Sequence, residues 1–539
     1  MVGKMMWNTP EKLRSLLCEL VSWESQTLTK GEQLFSKKLK AKLQQLQYFE
    51  ENPSYLNLCD VDHERQVVSA LYKNPHVNET VVLISHFDTV QIEEYGSFIP
   101  IATMPEELTN AFKSDSSLLN ESAKKDLASG DYLFGRGVMD MKIGLALHMQ
   151  MIERAIAEKW PINLLLVTVP DEEVNSAGMR QAVKLIAELQ KKENLKIKLF
   201  LNSEPSFSQG PTDLKEYVYS GSIGKIMPAA LFYGKETHVG EPLKGITAPY
   251  MSAFLTTEME WNDKFLEEDF GEQTPLPVSL KLTDLKEQYS TQTPYRAISM
   301  FNVFLMKRSA GDIMNIFEEV AKEAMKKCQA RYELICKKQG VSTIGHIRVI
   351  RFEELYFYAI SKIGIEKVDE LKSFVLSNDT LDDREKSLRI ADQLMIHCQE
   401  LAPTVVLLFA PPYYPPVNSS EDSLIQGAIS LLLKSAREFN IPLEQIHYFN
   451  GICDLSYCQF QTNKDWKAYE KNAPVWGETY DIPFEEMSKF SAPVLNVGPF
   501  GKDPHQISER LHVKSAFEEM PELLYQLLKY VSESIQFVE

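Results

Sequence analysis

Thr80-Val81-Val82-Leu83-Ile84-Ser85-His86-Phe87-Asp88 decides the fold class. Its first six positions carry no charge and four are β-branched, the composition of a strand buried on both faces. A polar His-x-Asp follows at once, so His86 and Asp88 are placed at the carboxyl end of that strand. Residues 163–169 (NLLLVTV), 197–202 (IKLFLN) and 494–497 (VLNV) repeat the pattern, and after them come Asp171-Glu172-Glu173, Glu204-Pro205 and the late His505. Open α/β sheets bind ligands in the crevice beyond the carboxyl ends of their strands, so four segments distant in sequence meet in one place.

Gly135-Arg136-Gly137-Val138-Met139-Asp140-Met141-Lys142 adds a fifth segment. The pattern of residues 141–158 (MKIGLALHMQMIERAIAE) predicts an amphipathic helix with Asp140 as its cap, where a carboxylate is favoured. In order, the five segments offer imidazole, carboxylate, a carboxylate pair, carboxylate and imidazole. That is the ligand set of a two-zinc hydrolytic centre with one shared carboxylate and one spare glutamate. Adjacent glutamates on an extended segment point to opposite sides, so Glu172 and Glu173 do not face the same ion; one ligates and the other transfers protons. The expected cofactors are two divalent ions, zinc first, with manganese or cobalt also suited to carboxylate-rich sites.

Composition excludes other classes. With 75 acidic against 57 basic residues the formal charge is −18, which opposes binding to phosphate backbones and anionic membranes. The chain is therefore expected to bind neither nucleic acid nor membrane. No run reaches the roughly 18 apolar residues of a membrane span. The amino-terminal stretch turns charged and amphipathic after Pro10, unlike a signal sequence. Seven scattered cysteines in 539 residues read as reduced thiols, and the expected location is cytoplasmic.

These segments together resemble the M20 metallopeptidases and aminoacylases. Gly234-Lys235-Glu236-Thr237-His238, Phe409-Ala410-Pro411-Pro412-Tyr413-Tyr414 and Asn450-Gly451-Ile452-Cys453-Asp454 are most similar to the arginine-utilisation (Roc-type) branch. The resemblance implies Asp140 as the bridging ligand, with Glu173 and His505 on one metal and His86 and Glu204 on the other. It implies Glu172 as general base, and Asp88 as the carboxylate that fixes the tautomer and orientation of the His86 ring. It further implies that His238 reaches a partner subunit's site in a homodimer and stabilises an oxyanion there. Lys307, beside Arg308, stands where the family places a substrate-binding arginine, and lysine offers a point charge in place of a bidentate fork. Asp454 matches a second site segment and suits a cationic group on the substrate.

The fold expected is α/β: a zinc-peptidase-like catalytic domain with a mixed sheet flanked by helices, plus an inserted α+β lid (dimerisation) domain. The catalytic domain is expected in two pieces, 1–220 and 417–539, with the lid at 221–416. Residues 223–232, 295–307 and 404–410 read as lid strands, and 242–259 and 312–327 as helices, a β-α-β-α-β order suited to a sheet with helices on one face. An extra charged, helical segment at about 328–400 reads as a solvated face. The function expected is hydrolysis of an amide bond in a small N-acyl amino acid or peptide, and the branch resemblance implies an arginine-related substrate. A dipeptidase of the same family, or a metal-binding scaffold without catalysis, are the alternatives; Glu172, which a structural metal site does not need, favours the enzyme.

Overall fold

The computed structural model describes residues 5–210, 213, 215–459 and 466–536, which form two compact units. The first holds the described residues up to 222 together with 417–459 and 483–536, and the second holds 223–416 and 466–482. In chain order, the first unit supplies strands β1 Leu56–Asp60, β2 Gln66–Tyr72, β3 Glu79–His86, β4 Asn163–Val169, β5 Lys196–Asn202 and β6 Glu216–Tyr219. The second supplies β7 Gly224–Tyr233, β8 Val278–Asp284, β9 Arg296–Leu305, β10 Arg348–Arg351 and β11 Thr404–Tyr414. The chain then returns to the first unit for β12 Leu443–Ile446 and β13 Val494–Asn496.

The first unit is built on a mixed eight-stranded sheet of order β1-β2-β4-β3-β5-β13-β6-β12. Its middle strands β4, β3, β5 and β13 run parallel, with Val81 opposite Leu164 and Leu199, and Val494 opposite Phe200. Every residue of β4, and all but Glu79 of β3, is buried, as strands covered on both faces require. Helix α1 (Lys142–Glu158) buries every residue from Lys142 to Glu153. It is therefore buried all round to Glu153, where the sequence suggested one buried stripe, because it packs on β3 and β4 and against the helices Pro10–Val21 and Met520–Gln536. It also starts one residue after Met141, so Asp140 lies outside it and does not cap it. Helix α2 (Ala177–Lys192) follows the Asp171–Ser176 turn.

The second unit carries a five-stranded sheet of order β8-β9-β7-β11-β10. Helices α3 (Ala248–Met259) and α4 (Ala310–Gln339) pack on each other, and α5 (Asp383–His397) packs on β7 and β11. β11 is buried throughout and β7 and β9 nearly so, so both faces of the sheet are covered where one was expected. The segment expected as a solvated face thus supplies a packing helix, α5, and a strand, β10. A second correction concerns 417–539, expected wholly in the catalytic domain. Lys467–Asn472 packs on α4 and β11 of the second unit because Tyr469 stacks on Phe409 and Tyr413, with ring centroids 5.2 and 4.8 Å apart.

Candidate metal centre

All of the first unit's expected site residues lie at or just beyond the carboxyl ends of β3, β4 and β5 or in loops tied to them. β3 ends in His86, and the ladder continues as the Phe87 N–H donates to Val169 O at 3.0 Å. The His86 ring is 1% exposed. Its Nδ1 lies 3.1 Å from the Asp88 carbonyl oxygen and 3.5 Å from that residue's carboxylate. The backbone oxygen is thus the ring's nearer partner, and it assigns the proton to Nδ1.

The Nε2 lone pair then faces carboxylate oxygens of Asp140 at 3.2 Å, Glu204 at 3.5 Å and Glu172 at 4.0 Å. Three carboxylates closing on one imidazole nitrogen call for a positive charge among them: burial alone would lower the ring's affinity for protons, and these acids raise it well above the usual value. The second oxygen of Asp140 lies 3.0 Å from His505 Nε2, which is also 3.1 Å from Glu173. Asp140 therefore shares its carboxylate between two histidines, and the ligand atoms form two groups, His86–Asp140–Glu204 and Asp140–Glu173–His505, each within 4.8 Å. These donors suit a divalent cation in chemistry and in spacing.

The electrostatics agree. Burial raises Glu172, Glu173 and Glu204 above the usual carboxylate range, with neighbouring acids adding to it. Burial would lower His505, but its hydrogen bonds to Asp140 and Glu173 push it up to about 11.

Asp88 does more than the sequence suggested. Its carboxylate accepts from Thr27 Oγ1 at 2.8 Å and from the amides of Glu172 and Glu173 at 3.1 and 3.2 Å. Glu172 and Glu173 sit on a turn and not on the extended segment expected, since the Asn175 and Ser176 amides both donate to Asp171 O. The turn still separates them: Glu173 meets His505, and Glu172 faces His86.

Glu509 was not legible in the sequence. Its carboxylate accepts from the Gly137 amide at 2.8 Å and from Arg136 at 2.6 Å, joining the loop that carries Asp140 to the one that carries His505. Gly137 turns that loop at φ +80°, and a Cβ there would lie 2.9 Å from the Thr89 methyl. Arg510 holds Asp503 at 2.6 Å and fixes the other side of the His505 loop.

Asp454 also belongs to this neighbourhood. It is 2% exposed, and burial pushes it up to about 7 against the opposing pull of His86 and of a hydrogen bond with Ser176. The remaining expected residues lie in the second unit. Lys307 Nζ is 2.5 Å from Asp269, Arg308 donates to Lys264 O at 2.8 Å, and both amides bind Glu267. His238 is exposed and accepts from the Gly240 amide. A further cluster, Glu216–His512–Glu519, has Lys514 on Glu519 at 2.6 Å and the Ser515 amide donating to His512 Nδ1, partners that account for it without an ion.

The sequence profile of peptidase family M20/M25/M40 matches residues 82–529. A Bacillus subtilis (strain 168) protein named YqjN, itself uncharacterised, is 40% identical over 527 residues, covering 96% of each chain. The protein RocB of the same organism is 28% identical over 546 residues, covering 98% of this chain and 96% of its own. Among solved structures, an M20 family metallo-carboxypeptidase of Sulfolobus solfataricus superposes with a TM-score of 0.53 at 12% identity, covering 96% of this chain and 99% of that one. A tripeptidase of Staphylococcus aureus subsp. aureus Mu50 gives 0.51 at 13%, covering 98% and 100%. At such identities these two bear on the fold alone.

Proposed function

The chain belongs to peptidase family M20/M25/M40, a metal-dependent hydrolase, and we propose that it is a two-metal amidohydrolase of small N-acyl amino acids or peptides with a cationic, arginine-related part. The observation that carries this reading is Asp140, one carboxylate shared between His86 and His505 with Glu204 and Glu173 completing the two groups. His86, Asp140 and Glu204 would hold one ion, and Asp140, Glu173 and His505 the other. Two bound ions would polarise the scissile carbonyl and lower the pKa of the attacking water from about 15.7 towards roughly 7.

The remaining work belongs to the chain's own groups. Glu172 accepts the proton of the attacking water and delivers it to the leaving amine. Its burial suits that role, because burial raises a carboxylate's affinity for protons and so helps it take one from water. Asp88 orients Glu172 and Glu173 through their amides while its own carbonyl orients His86. Asp88→Ala is expected to weaken metal affinity about 10- to 100-fold, measured by calorimetric zinc titration; an unchanged affinity contradicts this role.

Asp454 supports a cationic substrate group: it is a buried carboxylate beside an acid-rich centre. A screen of N-acetyl, N-succinyl and dipeptide derivatives of arginine and ornithine, with zinc, cobalt or manganese supplied, tests the substrate class. Turnover of uncharged analogues at equal kcat/KM would overturn it. It would also separate deacylase from dipeptidase, the second reading within the family. Lys307→Ala and Arg308→Ala test the substrate-carboxylate role, which predicts a higher KM for carboxylate-bearing substrates and little change in kcat.

The reading includes a homodimer in the cytoplasm. Edge strand β8 supports the dimer, since it leaves Val278, Leu280 and Leu282 exposed, Leu282 to 51%, and exposed apolar edge strands pair readily. Seven free cysteines support the location. No described helix is long and apolar enough to cross a membrane. In such a dimer His238 would serve the partner's site as an oxyanion donor, worth about 2.7 to 4 kcal/mol in the transition state. Glu172→Gln and His238→Ala chains, each nearly inactive, are then expected to regain activity as hybrids after co-refolding. Inactive hybrids of verified composition would contradict action in trans.

A further inference from the structure

We propose that Arg65, through Asp171 and Glu32, is the positioning residue that holds the Glu172–Glu173 turn in its working conformation. The proposal rests on the reading of Glu172 as general base and Glu173 as metal ligand. Arg65 lies just before β2, far in sequence from the turn, and its side chain is 3% exposed. Its Nη1 lies 2.6 Å from Asp171 Oδ1 and 3.5 Å from Glu32 Oε1, while its Nε donates to Asp62 at 2.7 Å. The planar fork therefore reaches three acids at once, which the single ammonium of a lysine cannot reproduce.

Asp171 is held at every polar group. Its amide donates to Glu32 Oε1 at 3.0 Å, its Oδ2 accepts from the Ala177 amide at 3.0 Å, and its carbonyl accepts from the Asn175 and Ser176 amides. This matters because Asp171 has φ +68°, a left-handed conformation that non-glycine residues adopt at a cost. The same geometry aims the next two amides at Asp88. Glu32 is anchored in turn by the Leu28 amide at 2.7 Å, one residue from Thr27, whose hydroxyl binds Asp88. Arg65 and Asp88 thus grip the turn from two sides: one sets its first residue, the other receives its next two amides. An Arg65 that served stability alone would need no connection to that turn.

Arg65→Lys tests this in the whole protein, with zinc and without it. Positioning predicts a kcat lowered between about 10- and 100-fold at 25 °C under saturating zinc, with KM changed less than about twofold and zinc bound more weakly through the loosened Glu173. It also predicts faster hydrogen exchange at the Glu172 and Glu173 amides in the metal-free protein, where activity plays no part. Leu432→Ala, a cavity variant in the helix Ser423–Glu438, serves as a control with lowered Tm and unchanged kcat. Asp171→Asn is the second variant, since asparagine tolerates positive φ but gives up the charge that Arg65 binds; it is expected to show the same pattern if Arg65→Lys does not fold. If either variant loses Tm while kcat and the two amides stay as in the parent, the proposal is overturned. The reading of Glu172 as base would survive that result provided Glu172→Gln remained inactive with its metal bound.

Discussion

Glu172→Gln is expected to lower kcat by about 10²-fold or more, about 2.7 kcal/mol or more in the barrier, with both ions still bound. The amide keeps the size of the side chain and cannot accept the proton. Glu172 is expected to leave the ions in place because the closer contacts belong to others: His86 has Asp140 and Glu204 within 3.5 Å, and His505 has Asp140 and Glu173 within 3.1 Å. Kinetics and metal analysis on one sample decide the matter. Loss of metal together with activity would make Glu172 a ligand and remove the base from the mechanism.

Asp140→Ala has the larger structural effect. Its two oxygens face different histidines, so the substitution strips one ligand from each group and leaves Glu173 and Glu204 as buried acids with less to balance them. Both ions are expected to bind far more weakly and activity to vanish, whereas Asp88→Ala keeps every ligand. Zinc titration of the pair separates them. A single site lost in Asp140→Ala, with the other unchanged, would argue against a shared carboxylate.

The sequence showed the four central strands and the site acids beyond them because buried parallel strands are written as uninterrupted apolar runs. It showed less wherever a residue acts only through the fold. Arg65, Glu32 and Glu509 drew no reading from the sequence, since nothing local marks a charge that will be buried among partners 33, 106 or 373 positions away. The Glu172–Glu173 turn was misread as extended because its shape is set by Asp88 and by the φ of Asp171, and neither is a local propensity. Strand β8 lies at an edge, and its register on β9 shifts between Ser279 and Lys281, so its exposed apolar residues mark no regular buried face. Helix α4 runs on to Gln339 and ends at Gly340 with φ +64°, a C-terminal glycine signal that the shorter prediction of 312–327 overlooked.

The central claim is that one carboxylate joins two metal ions, and anomalous diffraction at the zinc edge tests it most directly. Crystals of the protein grown with zinc are expected to show two peaks, one among His86, Asp140 and Glu204 and the other among Asp140, Glu173 and His505, with Asp140 common to both. A single peak, or two that do not share Asp140, would contradict the account.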